Sequence, residues 1–148
     1  MKQQIRFGVF ETNSSSTHSI TIVDKEDYDK WENGEVYGKI DMWEDNAEFL
    51  PVEEAVERNV ESLKNQNCDV PFDFVEAYKE EHTLEKAYNK SGEDFDFENS
   101  LDFGEFYLSF DEYCEYVDNI MCYQRYTKEY KAKNGTEVVA FGYYGQDY

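Results

Sequence analysis

The order of patterns along the chain predicts an α+β fold whose antiparallel sheet is made from its two ends. Three observations carry this. A pair of strand-like segments opens the sequence, and an Asn-Gly between two aromatic and β-branched runs closes it as a hairpin. Between them the apolar residues recur at helical spacing. An N-terminal strand pair, three to four central helices on one sheet face and a C-terminal β-hairpin give one α+β domain over residues 1–148.

Gln4 to Phe10 alternates apolar and other residues, as a half-buried strand does, and Ser19-Ile20-Thr21-Ile22-Val23 is a second, β-branched strand. The residues between them, Glu11 to His18, are wholly polar. Asp24 suits the N-cap of a short helix through Trp31, which Asn33-Gly34 stops. Glu35 to Ile40 returns as a strand. Pro51 suits the first turn of a helix carrying Val52, Val56, Val60 and Leu63 on one side. Asp73 to Asn89 reads as one further helix. From Ser91 to Phe106 the alternation of Phe95, Phe97, Leu101 and Phe103 fits a loop or an edge strand. Ser109-x-x-Glu112 is a capping box, so a short helix starts there and runs to about Asn119. Met121 to Ala132 and Thr136 to Tyr144 then flank the Asn134-Gly135 turn.

Composition limits the function. Among 148 residues, 34 are Asp or Glu and 14 are Lys or Arg, a net charge of −20. Such a charge repels phosphate backbones and anionic lipid, so direct nucleic-acid or membrane binding through a basic face is not expected. The 18% of aromatic residues argues against a disordered acidic tail. No apolar run is long enough for a membrane span or a signal peptide, which points to the cytoplasm. Three widely spaced cysteines (Cys68, Cys114, Cys122) make neither a disulfide framework nor a zinc ribbon, and buried free thiols are expected. No cofactor motif is present.

The charge is also unevenly placed. Residues 24–118 hold 30 acids against 8 bases, a net −22, and each flank carries +1. Between Lys90 and Arg125 stand ten acids and no base.

The polar connection is one candidate site. Glu11, Asn13, Ser15 and His18 could hold an anion or supply an acid–base pair toward a phosphorylated or nucleotide-like molecule. No P-loop or nucleophile elbow accompanies them, and Ser, Thr and Asn in a loop commonly bond their own backbone. Nothing else in the chain stands out as catalytic, so a binding protein is favoured over an enzyme.

Arg6-Phe7-Gly8-Val9-Phe10-Glu11-Thr12-Asn13-Ser14-Ser15-Ser16-Thr17-His18-Ser19 resembles the opening of small proteins from phages and prophages of Gram-positive bacteria. Glu137-Val138-Val139-Ala140-Phe141-Gly142-Tyr143-Tyr144-Gly145 is similar to their ends. The resemblance implies a phage setting and a specialised N-terminal loop, and no reaction.

The acidic middle offers two further readings. Asp94, Asp96, Glu98, Asp102 and Glu105 fall at positions 1, 3, 5, 9 and 12 of an EF-hand-like calcium register, although Asn99 stands where that loop needs Gly. Alternatively, acids at i and i+2 on a strand lie about 6.6 Å apart, near the spacing of phosphates along a nucleic-acid strand. Helical Glu53, Glu57 and Glu61 repeat at one turn. Such arrays would occupy the basic groove of a nucleic-acid-binding protein. The expected partner-binding residues are Glu93, Asp94, Asp96, Glu98, Asp102, Glu105, Asp111 and Glu112. The expected function is that of a phage-encoded acidic inhibitor, a nucleic-acid mimic against a host defence protein such as a CRISPR effector or a restriction enzyme, or against a host polymerase.

Overall fold

The computed structural model describes residues 16–41, 46–66 and 68–146. The expected strand over 4–10 lies outside the described residues, as do Glu11, Asn13 and Ser15.

Among the described residues, two antiparallel sheets and six α-helices make the α+β fold. The larger sheet has strand order β1-β5-β4, from β1 (Ser16–Asp24), β4 (Gln124–Lys131) and β5 (Glu137–Gln146). The two ends of the chain therefore share one sheet, as the sequence predicts. β5 lies in the middle, and Val139 to Tyr143 along it are buried throughout. Gly142 is required there: a Cβ would stand 1.9 Å from the Ser19 carbonyl oxygen, which also accepts the Tyr126 hydroxyl. The hairpin turns at Gly135, whose φ of 88° an L side chain rarely adopts.

α1 (Lys25–Glu32) follows β1 and packs Tyr28 and Trp31 onto the larger sheet. β2 (Val36–Asp41) pairs with β3 (Asn46–Pro51), a strand the sequence pattern does not announce because its polar and apolar residues do not alternate cleanly. Pro51 ends β3 and sits as the N-cap of α2 (Val52–Lys64). The single helix expected over 73–89 is instead two, α3 (Phe72–Glu81) and α4 (Leu84–Ser91). The chain breaks at His82, which takes a left-handed φ of 68°, and Thr83 then caps α4 by accepting the Lys86 N–H. α5 (Phe97–Ser100), a 3₁₀ turn (Phe103–Glu105), α6 (Phe110–Glu115) and a π-helical turn (Tyr116–Ile120) complete the middle. The segment 91–106 is thus coil and short helix, not an edge strand.

The helices do not all lie on one sheet face. α1 and α6 cover the larger sheet, where Trp31 is fully buried among Tyr28, Phe110, Tyr113 and Phe141. α2, α3 and α4 build a second core with Tyr37 and the apolar residues from Phe95 to Leu108. Helices with an apolar stripe need a partner, and Phe74, Phe95, Phe103 and Phe106 supply one away from the sheet. Leu108 joins the two cores. Its carbonyl accepts from Trp31 Nε1 (3.0 Å) and Gly38 N (2.8 Å), and its own N–H donates to the Gly38 carbonyl (2.8 Å). Among the described residues no helix is long and apolar enough to cross a membrane.

Candidate functional site

The acidic stretch gets its shape from the aromatics placed between its charges. Phe95, Leu101, Phe103 and Phe106 are buried, and burying them turns Asp94, Asp96, Glu98, Asp102 and Glu105 outward. A chain with hydrophobic anchors at such short intervals needs neither helix nor strand to hold its course.

The capping box at the start of α6 forms as expected. Ser109 Oγ accepts the Glu112 N–H (3.1 Å), and Glu112 Oε1 accepts the Ser109 N–H (3.0 Å). The second carboxylate oxygen accepts the N–H of Leu84, the first residue of α4, also at 3.0 Å. One side chain therefore satisfies orphan donors at two helix starts and holds α6 beside α4. Its enclosure between them pushes its pKa up to about 7, against the pull of the backbone donors. The solvent-exposed area of Glu112 is intermediate, so the residue keeps an edge open while its carboxyl group is enclosed.

A groove of about 740 Å³ runs between α4, residues 94–98 and α6. Five of the eight expected partner-binding acids line it: Asp94, Asp96, Glu98, Asp111 and Glu112. Glu85 and Glu115 join them, and Lys86 is the base on the wall. Four rings form a connected row along the groove. Tyr88 and Phe97 have centroids 5.6 Å apart, Phe97 and Phe103 6.5 Å, and Phe103 stacks on Tyr116 at 4.6 Å with an interplanar angle of 4°. Burial also raises the pKa of the Tyr116 hydroxyl, so it stays protonated.

Glu93, Asp102 and Glu105 do not line the groove. Asp102 faces the end of α2, capping the 3₁₀ turn through Gly104 N (3.1 Å) and donating its own N–H to Gln66 (3.2 Å). Glu53, Glu57 and Glu61 are exposed along α2.

Two sequence readings are corrected. Asp94, Asp96 and Glu98 do not share a strand face, because Asp96 is the N-cap of α5 and Glu98 lies within that helix. The calcium register does not form either. Asp96 is bonded to Asn99 (2.9 Å), Asp102 to Gly104, and among the described residues no three acidic, His or Cys side chains gather to hold an ion. Without a glycine at the sixth position the segment winds into helical turns rather than around a cation.

The acids of the groove are also short of counter-charges. Lys90 pairs with Glu80 and Glu81 (3.3 Å) on α3, and Arg125 takes both oxygens of Asp118 (2.9 and 3.1 Å). Among the described residues, none of the acids from Glu93 to Glu115 has an ion pair.

Of the alternative site, His18 lies in β1 opposite Tyr144 in the register. The thiols are free as expected but not buried: Cys68 and Cys114 are half-buried and Cys122 is exposed. The residues the sequence reading missed are Glu85, Tyr88 and Tyr116. Their helical positions carried no signal, because only the fold brings α4 and the π-helical turn to the acidic segment. The chain matches no protein-family model, no curated protein and no solved structure.

Proposed function

We propose that the protein is a phage-encoded acidic inhibitor that occupies the basic groove of a host nucleic-acid-binding defence protein in place of nucleic acid. The observation that carries this is the group of exposed carboxylates at the groove, Asp94, Asp96, Glu98, Asp111 and Glu115, with no ion pair among the described residues. Carboxylates that serve only solubility are usually interspersed with bases, and unrelieved like charge costs stability. A basic groove would supply the missing counter-charge and steer association. The resemblance of residues 6–19 and 137–145 to phage proteins supports a phage setting inside a host cell, where a CRISPR effector, a restriction enzyme or a polymerase would each offer a basic groove.

The test is displacement of labelled double-stranded DNA from purified examples of those three protein classes, at low and high salt. Displacement from at least one, weakened by salt and by Asp94→Lys/Glu98→Lys, is the expected result. Failure to displace DNA from any of them at low salt would sink the proposal.

A further inference from the structure

The carboxylates around the groove would serve any cation, but the ring row beneath them would not. Tyr88, Phe97 and Tyr116 are each half-buried, with part of the ring surface open to the groove. An ammonium group is compact and strongly hydrated and gains less from a flat aromatic wall, although Lys39 and Lys128 each stand over a tyrosine ring elsewhere in the protein. A guanidinium group is planar and weakly hydrated. It stacks on ring faces while its edges donate in pairs to carboxylates.

We infer that the groove between α4 and α6 is a docking site for an arginine side chain of a basic protein, stacked along the Phe97–Phe103–Tyr116 row. Asp94, Glu98 and Glu115 would receive its N–H donors at the rim. Charge complementarity selects this occupant. Seven carboxyl groups and one lysine line the groove, so an acidic or neutral segment would be repelled or left without polar partners. As the specific anchor of the nucleic-acid-mimicking surface, the site rests on that reading, and it converts a general attraction to positive charge into a preference for arginine.

The probe is N-acetyl-Arg-Arg-amide, titrated into the full chain at physiological salt and followed by NMR, with the Lys-Lys analogue alongside. The expected result is a set of shifts confined to the groove, at Tyr88, Phe97, Tyr116 and Ile120 and at the rim acids Asp94, Glu98 and Glu115, with the lysine analogue about tenfold weaker. Phe97→Leu removes the ring and Asp94→Asn/Glu98→Gln removes charge at exposed positions, and each should weaken arginine binding. Equal affinity for the two peptides overturns the inference. So do shifts spread over α2 as well as the groove. Should Phe97→Leu fail to fold, the peptide ratio and the exposed double variant still decide. Arginine selectivity without DNA displacement would remove the mimicry reading alone, whereas displacement without arginine selectivity would remove this one alone.

Discussion

Glu112 on α6 accepts the backbone N–H of Leu84, twenty-eight positions earlier at the start of α4, at 3.0 Å. That bond fixes the separation of the two helices that wall the acidic groove, and it lets a local capping motif act as a tertiary clamp.

The clamp should make stability depend on pH. In the folded protein Glu112 titrates at about 7, against an ordinary 4.5, because enclosure disfavours its charge. The folded state therefore holds this proton more tightly than the unfolded chain. The group's contribution is fully present below about 4.5 and is lost as pH rises through about 7. Its size is roughly 3 kcal/mol. Urea unfolding of the wild type and Glu112→Gln between pH 4.5 and 8 checks this. Wild-type stability should fall relative to that of Glu112→Gln as pH rises, and a difference that is flat over that range would contradict it.

Asn59 should be among the least replaceable polar residues. It is 1% exposed, its amide donates to the Tyr78 hydroxyl (2.6 Å) and the Tyr107 carbonyl (2.7 Å), and its oxygen accepts the Tyr107 N–H (2.8 Å). Asn59→Leu leaves the buried backbone of Tyr107 without partners, at a cost of about 3 kcal/mol. Chemical denaturation should show a lowered midpoint with an unchanged slope.

Thr21 should behave in the opposite way. Its hydroxyl is buried in β1 with no hydrogen-bond partner among the described residues. Thr21→Val keeps the shape and the β-branching and removes the unpaired group, so stability should rise by about 1 kcal/mol. A lower melting temperature for this variant would argue that the hydroxyl is satisfied in solution.

Gly142→Ala should be costly although it adds a single methyl group. The clash is with the backbone of Ser19, across the β1–β5 pairing, and no side-chain rotation relieves it. A loss of about 2 kcal/mol or more is expected from the forced strand shift. Faster hydrogen exchange at Ile20, Thr21 and Phe141 would locate the damage in the larger sheet.

Elements with local physical causes were legible in the sequence. Asn33-Gly34 ends α1, Ser109-x-x-Glu112 starts α6, and Asn134-Gly135 turns the hairpin, because caps and tight turns are made by residues a few positions apart, whereas Asp24 stands at the N-cap of α1 with no side-chain capping bond among the described residues. The −22 block was equally legible, since charge needs only counting. The break between α3 and α4 was not. It rests on His82 adopting a conformation more usual for glycine, which lets α4 turn back to pack on α3.

The acidic segment shows the same division most sharply. By itself the sequence determined that residues 93–118 would be charged and without bases, with aromatics between the acids. Only the tertiary structure decided which acids stand together. Asp94, Glu98 and Asp111 come to one groove while Asp102 and Glu105 do not. The physical reason is that a charge in water has no preferred direction, so its position is set by where the neighbouring Phe95, Phe103 and Phe106 find a core to enter. That core includes α2 and α3, which lie far away in sequence.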